Sequence, residues 1–80
     1  MSTEPKFIVL PFRRARNRLV LGDLRQATSR ASADRLARSL ADRIGGARAY
    51  EVQVEEENGE MHEPRLICAH GETFDVMAEA

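Results

Sequence analysis

The chain has 80 residues and a formal net charge of −1 at pH 7. This length allows a single small domain, which excludes dinucleotide-binding βαβ folds, α/β barrels and enzymes of kinase size. The charge is divided, because residues 1–48 carry 11 of the 12 basic side chains and a net charge of +7, whereas residues 49–80 carry 9 of the 13 acidic side chains and a net charge of −8. The sequence therefore predicts a dipolar domain.

Alternating apolar residues predict a first hairpin in the basic half of the chain. Residues 1–5 are expected to form a flexible N-terminus, and residues 6–12 predict a strand with apolar side chains on both faces. The arginine-rich residues 13–17 predict the turn. Residues 18–27 predict the returning strand, with a bulge or bend at Gly22–Asp23.

An amphipathic helix is expected next, because the apolar period changes from 2 to 3.6 after residue 27. Ser29 or Ser32 can cap its N-terminus, and Gly45–Gly46 end it. Asp34 is expected in the first turn, where the helix macrodipole favours a carboxylate. The predicted apolar stripe comprises Ala33, Leu36, Ala37, Leu40, Ala41 and Ile44.

A second hairpin is predicted in the acidic half. Residues 48–56 alternate apolar and polar side chains, and residues 64–70 predict the returning strand. Asn58–Gly59 between them is a strong turn signal. Residues 71–80 are expected to form a loose C-terminal tail.

Two registers are compatible with this second hairpin. A two-residue loop pairs Val54 with Glu63, whereas a three-residue loop with Gly59 in the left-handed conformation matches apolar faces better. The three-residue loop, or a longer one of the same parity, is therefore favoured. It pairs Val54 with His62, Val52 with Pro64 and Tyr50 with Leu66. In this register Leu66, Cys68 and His70 face the helix.

These elements predict an α+β fold, a single small ββαββ domain over residues 6–70. One helix packs on one face of an antiparallel sheet. The strand order is left open by the sequence. If the two hairpins lie side by side, their opposite charges compensate each other, and if they lie at opposite edges the domain is a true dipole.

The basic turn is the main candidate site. Its four guanidiniums can contact phosphates or an acidic partner, and the patch can be widened by Arg25, Arg30, Arg35 and Arg38. The four candidates are Arg13, Arg14, Arg16 and Arg18. The alternative is a solvated turn, since the chain has no interleaved aromatic residues suited to base stacking, no helix-turn-helix pattern and no zinc-finger spacing.

Cys68 and His70 are two residues apart on one predicted strand and share a face. With one cysteine and two histidines in the chain, the sequence predicts no zinc site and no other metal site. We expect no catalytic residues and no cofactor, and the domain is predicted not to be an enzyme. Thiol chemistry at Cys68 is the enzymatic alternative.

No apolar run is long enough to cross a bilayer, and the N-terminus lacks the pattern of a secretory signal. A lone cysteine also fits a reducing compartment. The expected location is therefore the cytoplasm, with no membrane contact and no small-molecule substrate.

The segment Phe-Ile-Val-Leu-Pro-Phe-Arg-Arg at residues 7–14, a second strand, an alanine- and arginine-rich helix ending in Gly-Gly, and an acidic hairpin together resemble small uncharacterised proteins of alphaproteobacterial genomes. The resemblance covers residues 7–71. It implies a cytoplasmic ββαββ domain of unknown function and transfers no site residues.

The predicted function is a small non-enzymatic interaction or regulatory module. Its partner is expected to be another protein or a second copy of the chain, because a thin core makes a homodimer attractive. The alternative is a nucleic-acid-binding accessory protein that uses the basic turn at residues 13–18.

Overall fold

The structure, a computed structural model, describes residues 2–76 of the chain. It is an α+β fold with one helix and an antiparallel sheet, which confirms the predicted class. The elements are β1 (Thr3–Ala15), β2 (Arg18–Leu21), β3 (Arg25–Ala27), α1 (Arg30–Ile44), β4 (Gly45–Glu55) and β5 (Met61–Gly71).

The predicted ββαββ order is wrong in one respect, because the second predicted strand is divided into β2 and β3. Both pair with β1, so the order across the sheet is β2/β3, β1, β4, β5. The interruption faces Pro11, whose carbonyl accepts a 2.7 Å hydrogen bond from the Gly22 amide. Since N and O of one residue point to the same side of a strand, proline lacks the donor that this edge needs. The ladder breaks there and resumes at β3.

The first hairpin has a tighter turn and a longer first strand than predicted. The ladder continues to Ala15 opposite Arg18, so that Arg16 and Asn17 alone form the turn. Arg16 adopts a left-handed conformation with a φ of 59°. At the other end β1 begins at Thr3, within the segment predicted to be flexible, where it pairs with Glu55 of β4.

The helix begins and ends where its capping residues predict. Ser29 accepts a hydrogen bond from the Ser32 amide, and the Ser32 side chain accepts one from the Ser29 amide, which closes a capping box. Gly45 ends the helix with a φ of 125° and donates its amide to Ala41. Asp34 lies in the second turn rather than the predicted first, because the helix begins at Arg30.

The second hairpin departs from the favoured register. Val54 pairs with Met61 instead of His62, whereas Tyr50 pairs with Leu66 as predicted. The ladder shifts between these two pairs, where Glu63 has a φ of 52°, and shifts again between Ala49 and Tyr50. Because of the second shift, the side chains of Leu66 and Cys68 lie on opposite faces of the sheet.

Leu66 therefore shares the helix-free face with Tyr50, its cross-strand partner, so its predicted helix-facing position is wrong. Cys68 does lie on the helix side, where it packs against the cluster that the helix covers, and His70 contacts Asp34 of α1. Their predicted facing is confirmed.

The sheet buries apolar side chains on both faces. The helix covers one cluster, whose buried members are Val9, Ala33, Ala37, Leu40, Ala47 and Ala49. The opposite face holds a second cluster, formed by Ile8, Leu10, Phe12, Tyr50 and Val52. No described helix lies on this second face, although Phe12 and Val52 are fully buried.

The segment after β5 contacts the helix-free face. The Phe74 ring meets Phe12 edge to face with centroids 4.9 Å apart, and Val76 packs against the same cluster. The Tyr50 hydroxyl donates to Asp75 over 3.2 Å. Residues 72–76 thus contact the sheet, although residues 71–80 were predicted to be a loose tail. The rest of that predicted tail, residues 77–80, lies outside the described residues.

The two hairpin turns lie at opposite ends of the molecule. Since β1 and β4 are antiparallel neighbours, the turn after Ala15 and the turn after Glu55 project in opposite directions along a longest dimension of 44 Å. The basic end is formed by Arg13, Arg16 and Arg18, and the acidic end by Glu55, Glu56, Glu57 and Glu60. Side-by-side hairpins therefore leave the turns uncompensated, and the domain is dipolar along its strands.

Candidate functional site

The four arginines predicted to share one turn are separated by the fold. Arg13 and Arg14 lie on β1 and point to opposite faces of the sheet. Arg14 forms a bidentate pair with Glu72 across the helix-free face, at 2.8 and 3.0 Å. Its guanidinium holds the pKa of Glu72 below the ordinary value, through hydrogen bonds first and charge second. Arg16 and Arg18 remain exposed at the turn.

Arg13 instead lines a groove on the helix side of the sheet. The groove lies between the β2–β3 break and the end of α1, and its volume is about 370 Å³. Arg25 and Arg43 line it together with Arg13. The other lining residues are Pro11, Leu21, Gly22, Asp23, Leu40 and Ile44. We call this the arginine groove.

The β2–β3 break creates the groove. The chain leaves the ladder at Gly22 and returns at Arg25, so the edge of the sheet opens beside Pro11. The last helical turn then supplies Arg43 and the half-exposed Ile44. A continuous second strand, as the sequence predicted, would close this edge.

The guanidiniums of the arginine groove have no carboxylate partner in the described part of the chain, whereas four of the eight other arginines do. Within residues 2–76, Arg13, Arg25 and Arg43 form no salt bridge or side-chain hydrogen bond. The partnered cations are Arg14 with Glu72, Arg30 with Glu51, Arg38 with Asp34, Arg48 with Asp75, and Lys6 with Glu4. Ion pairs thus compensate part of the basic half, but none of them reaches the three arginines of the groove.

The electrostatics of the arginine groove favour an anion. Its position at the C-terminus of α1 opposes this, because the macrodipole there disfavours negative charge by about 0.3–1 kcal/mol. A hydrogen bond from a charged donor contributes about 1.5–3 kcal/mol, and three guanidiniums line the groove. The arginines outweigh both the dipole and the single carboxylate of Asp23.

Sequence reasoning missed two of the three groove arginines. The sequence indicates Arg25 only as a residue that widens the patch, and it does not single out Arg43. The signal that points to them is the Pro11–Gly22 pairing, which opens the edge strand next to the helix C-terminus. That pairing depends on which strand lies beside β1.

A second cluster brings Asp34 of α1 to Cys68 and His70 of β5. The His70 Nε2 and an Asp34 carboxylate oxygen are 3.0 Å apart, and the Cys68 thiol also hydrogen-bonds to Asp34. The three side chains are partly buried, and their potential ligand atoms lie within 4.8 Å of one another. Asp34 also faces Arg38 at 3.6 Å.

These contacts shift the pKa values of Asp34 and Cys68 in opposite directions. The hydrogen bonds from His70 and then Cys68 lower the pKa of Asp34. Burial first, and Asp34 second, raise the pKa of Cys68 to about 11. The thiol is therefore protonated at neutral pH, and a protonated thiol is a poor nucleophile. The carboxylate stands between cysteine and histidine, so His70 is not placed to activate the thiol.

Comparisons with known proteins give no relative, since no family model, no curated protein and no solved structure matches this chain. Among the described residues, no helix is long and apolar enough to cross a membrane.

Proposed function

We propose that the domain is a small non-enzymatic interaction module whose arginine groove binds an acidic segment of another protein. The observation that carries the proposal is the convergence of three guanidiniums without carboxylate partners on one open groove, in a domain that pairs five of its nine other Lys and Arg side chains. Unpaired guanidiniums are available for bidentate contacts with carboxylates. The acidic end, on the far side of the molecule, would orient such a partner.

The lining of the groove favours a protein partner over a nucleic acid. Besides the arginines, the groove is lined by four apolar residues, Pro11, Leu21, Leu40 and Ile44. This combination suits a peptide that carries both acidic and apolar side chains. Single-stranded nucleic acids bind by stacking on aromatic rings, and no aromatic residue is among the described residues that line the groove.

Fluorescence anisotropy with a labelled peptide of alternating glutamate and leucine tests the proposal. Arg25→Glu and Arg43→Glu should each weaken binding by about tenfold, since a lost attraction and a new repulsion together amount to about 1.4 kcal/mol. Arg35→Glu is the matched control, because Arg35 is an exposed arginine of α1 that does not line the groove. If all three variants lose the same affinity for the peptide, net charge alone explains the effect, and the claim that the groove binds the peptide is refuted.

A nucleic-acid-binding accessory function is the second candidate. It is favoured by Arg16 and Arg18, which stand exposed at the basic end beside Arg13. Duplex DNA, oligothymidine and RNA belong in the same anisotropy series at low salt. If one of them binds more tightly than the acidic peptide, and if Arg16→Glu weakens it more than Arg43→Glu does, this second function replaces the first.

Self-association is the remaining form of the interaction proposal. The basic and acidic ends lie at opposite ends of one axis, so contact between copies would be head to tail when the molecules align and two-fold when they lie antiparallel. Sedimentation at low and high salt distinguishes these, since a two-fold pair stops at the dimer. A cytoplasmic location and the kinship with alphaproteobacterial proteins complete the proposal, and both stay predictions.

A further inference from the structure

The cluster of Asp34, Cys68 and His70 is not used by the proposed interaction function. Its three side chains come from two rigid elements, the second turn of α1 and the last residues of β5. Cys68 and His70 occupy alternate positions of the strand and point to the same face. The helix residue Asp34 contacts both of them on that face. The cross-strand neighbours on β4 are Ala49 and Ala47, whose small side chains leave room between sheet and helix.

We infer that Asp34, Cys68 and His70 form a binding site for a divalent transition-metal ion of the zinc class. Thiolate, imidazole and carboxylate are the three ligand types that proteins offer to Zn²⁺, and a sulfur ligand selects against Mg²⁺ and Ca²⁺. Three protein ligands leave a fourth position of the tetrahedron open. That position is accessible to water, because all three side chains are partly exposed.

The distances between the three ligand atoms must shorten slightly for a metal ion to bind. Zinc–ligand bonds of about 2.0–2.3 Å place tetrahedral ligand atoms about 3.5 Å apart. The longest separation here is within 4.8 Å, and the His70–Asp34 pair is already at 3.0 Å. Rotation of the side chains therefore brings the atoms into range without movement of the backbone elements.

Protons occupy the position that the metal would take. In its place Asp34 now accepts hydrogen bonds from the His70 ring and the Cys68 thiol. On binding, the Cys68 S–H bond breaks, a sulfur–metal bond forms, and one proton passes to the buffer. The proton that His70 Nε2 donates to Asp34 leaves this nitrogen while Nδ1 takes one up from solvent. This change of tautomer releases no net proton, and it frees the Nε2 lone pair for the metal.

One nearby charge opposes the cation. Arg38 lies 3.6 Å from the second carboxylate oxygen of Asp34, but two thirds of its side chain is exposed and can move into solvent. An Arg38→Gln substitution should therefore tighten metal binding. Sequence reasoning missed the site, because Asp34 is far from Cys68 in the chain and only the packing of α1 on β5 brings them together.

Titration with Co²⁺ tests the site, since Co²⁺ reports a thiolate ligand by near-ultraviolet charge-transfer absorption. The wild-type protein should show this band together with visible absorption of a four-coordinate site, and Zn²⁺ should displace Co²⁺ one for one. Cys68→Ser should abolish the band. Asp34→Asn and His70→Asn should weaken Co²⁺ binding by about tenfold or more. The matched control is His62→Asn, since the exposed His62 lies at the far end of the same strand.

Absence of the band in the folded wild-type protein, or its unchanged strength in the Asp34 and His70 variants, would overturn the inference. A second measurement uses the wild-type chain alone, in case a variant fails to fold. Zn²⁺ should protect Cys68 from alkylation and raise the unfolding temperature, and it should release one proton per bound ion. Alkylation at the same rate with and without Zn²⁺ would contradict the site.

Discussion

The segment after β5 stabilises the helix-free face of the sheet through Phe74. Phe74 is 43% exposed, so a little more than half of its ring is removed from water, and its edge-to-face partner Phe12 is fully buried. Half of a phenylalanine's burial contributes about 1 kcal/mol, and the ring pair adds about 0.5–1.5 kcal/mol. Phe74→Ala should therefore lower the free energy of unfolding by about 2 kcal/mol.

The assay is thermal and urea unfolding followed by circular dichroism, with Leu24→Ala as the control. Leu24 is 47% exposed, close to the exposure of Phe74, but its aliphatic side chain cannot form a ring pair. Its truncation should cost about 1 kcal/mol. In a domain of this size the two variants should lose about 8–16 °C and about 4–8 °C in melting temperature. If Phe74→Ala costs no more than Leu24→Ala, the segment does not hold the sheet and the reasoning is wrong.

Three further predictions concern other parts of the fold. Tyr50 is the only tyrosine, and burial raises its pKa above 10, so ultraviolet titration should show phenolate later than in the unfolded chain. Because the pKa of Tyr50 is higher in the folded protein than in the unfolded chain, its neutral hydroxyl contributes to the free energy of unfolding. This contribution is complete below pH 10 and is lost as pH rises through the folded pKa. A titration midpoint at or below pH 10 would contradict the burial. Gly46→Ala places a Cβ against the Glu72 carbonyl and should destabilise by about 3 kcal/mol or more, whereas Gly59→Ala meets open space and should cost about 1 kcal/mol for its positive φ. Arg14 lowers the pKa of Glu72, so the stability difference between wild type and Glu72→Gln should be present above pH 4.5 and vanish as pH falls through the folded pKa; a difference that persists at pH 2 would exclude this origin.

Local signals predicted the elements whose cause is local. Ser29 and Gly45 cap the helix because serine and glycine satisfy free backbone groups and tolerate the required angles. Alternation predicted apolar side chains on both faces of β1. In the structure Val9 lies toward the helix, and Ile8 and Phe12 lie away from it. These features depend on residues close together in the chain.

The features that were missed depend on neighbours distant in sequence. The division of β2 from β3 follows from the direction in which Pro11 lacks a donor, and that direction is defined only once β4 lies on the other side of β1. The register of β5 is shifted twice, at Glu63 and near Ile67, and turn rules alone give neither shift. A single irregularity moves Leu66 to the face opposite Cys68.

The candidate site shows the same limit. The sequence predicted that four arginines share one turn. Because successive side chains of β1 point to opposite faces of the sheet, Arg14 pairs with Glu72 on one face and Arg13 lines the groove on the other. Arg25 and Arg43 join Arg13 because the open edge of the sheet lies beside the end of the helix. Charge alone predicted a basic surface, and the strand order decides which of its arginines are available to a partner.

The most direct test of the arginine groove is a titration of the ¹⁵N-labelled domain with the glutamate–leucine peptide, followed by amide chemical shifts. The largest changes should fall on Arg13, Gly22, Arg25 and Arg43, and the changes should disappear in Arg43→Glu. Changes centred on the Arg16–Asn17 turn, or spread evenly over the exposed arginines, would contradict the claim that the groove is the binding site.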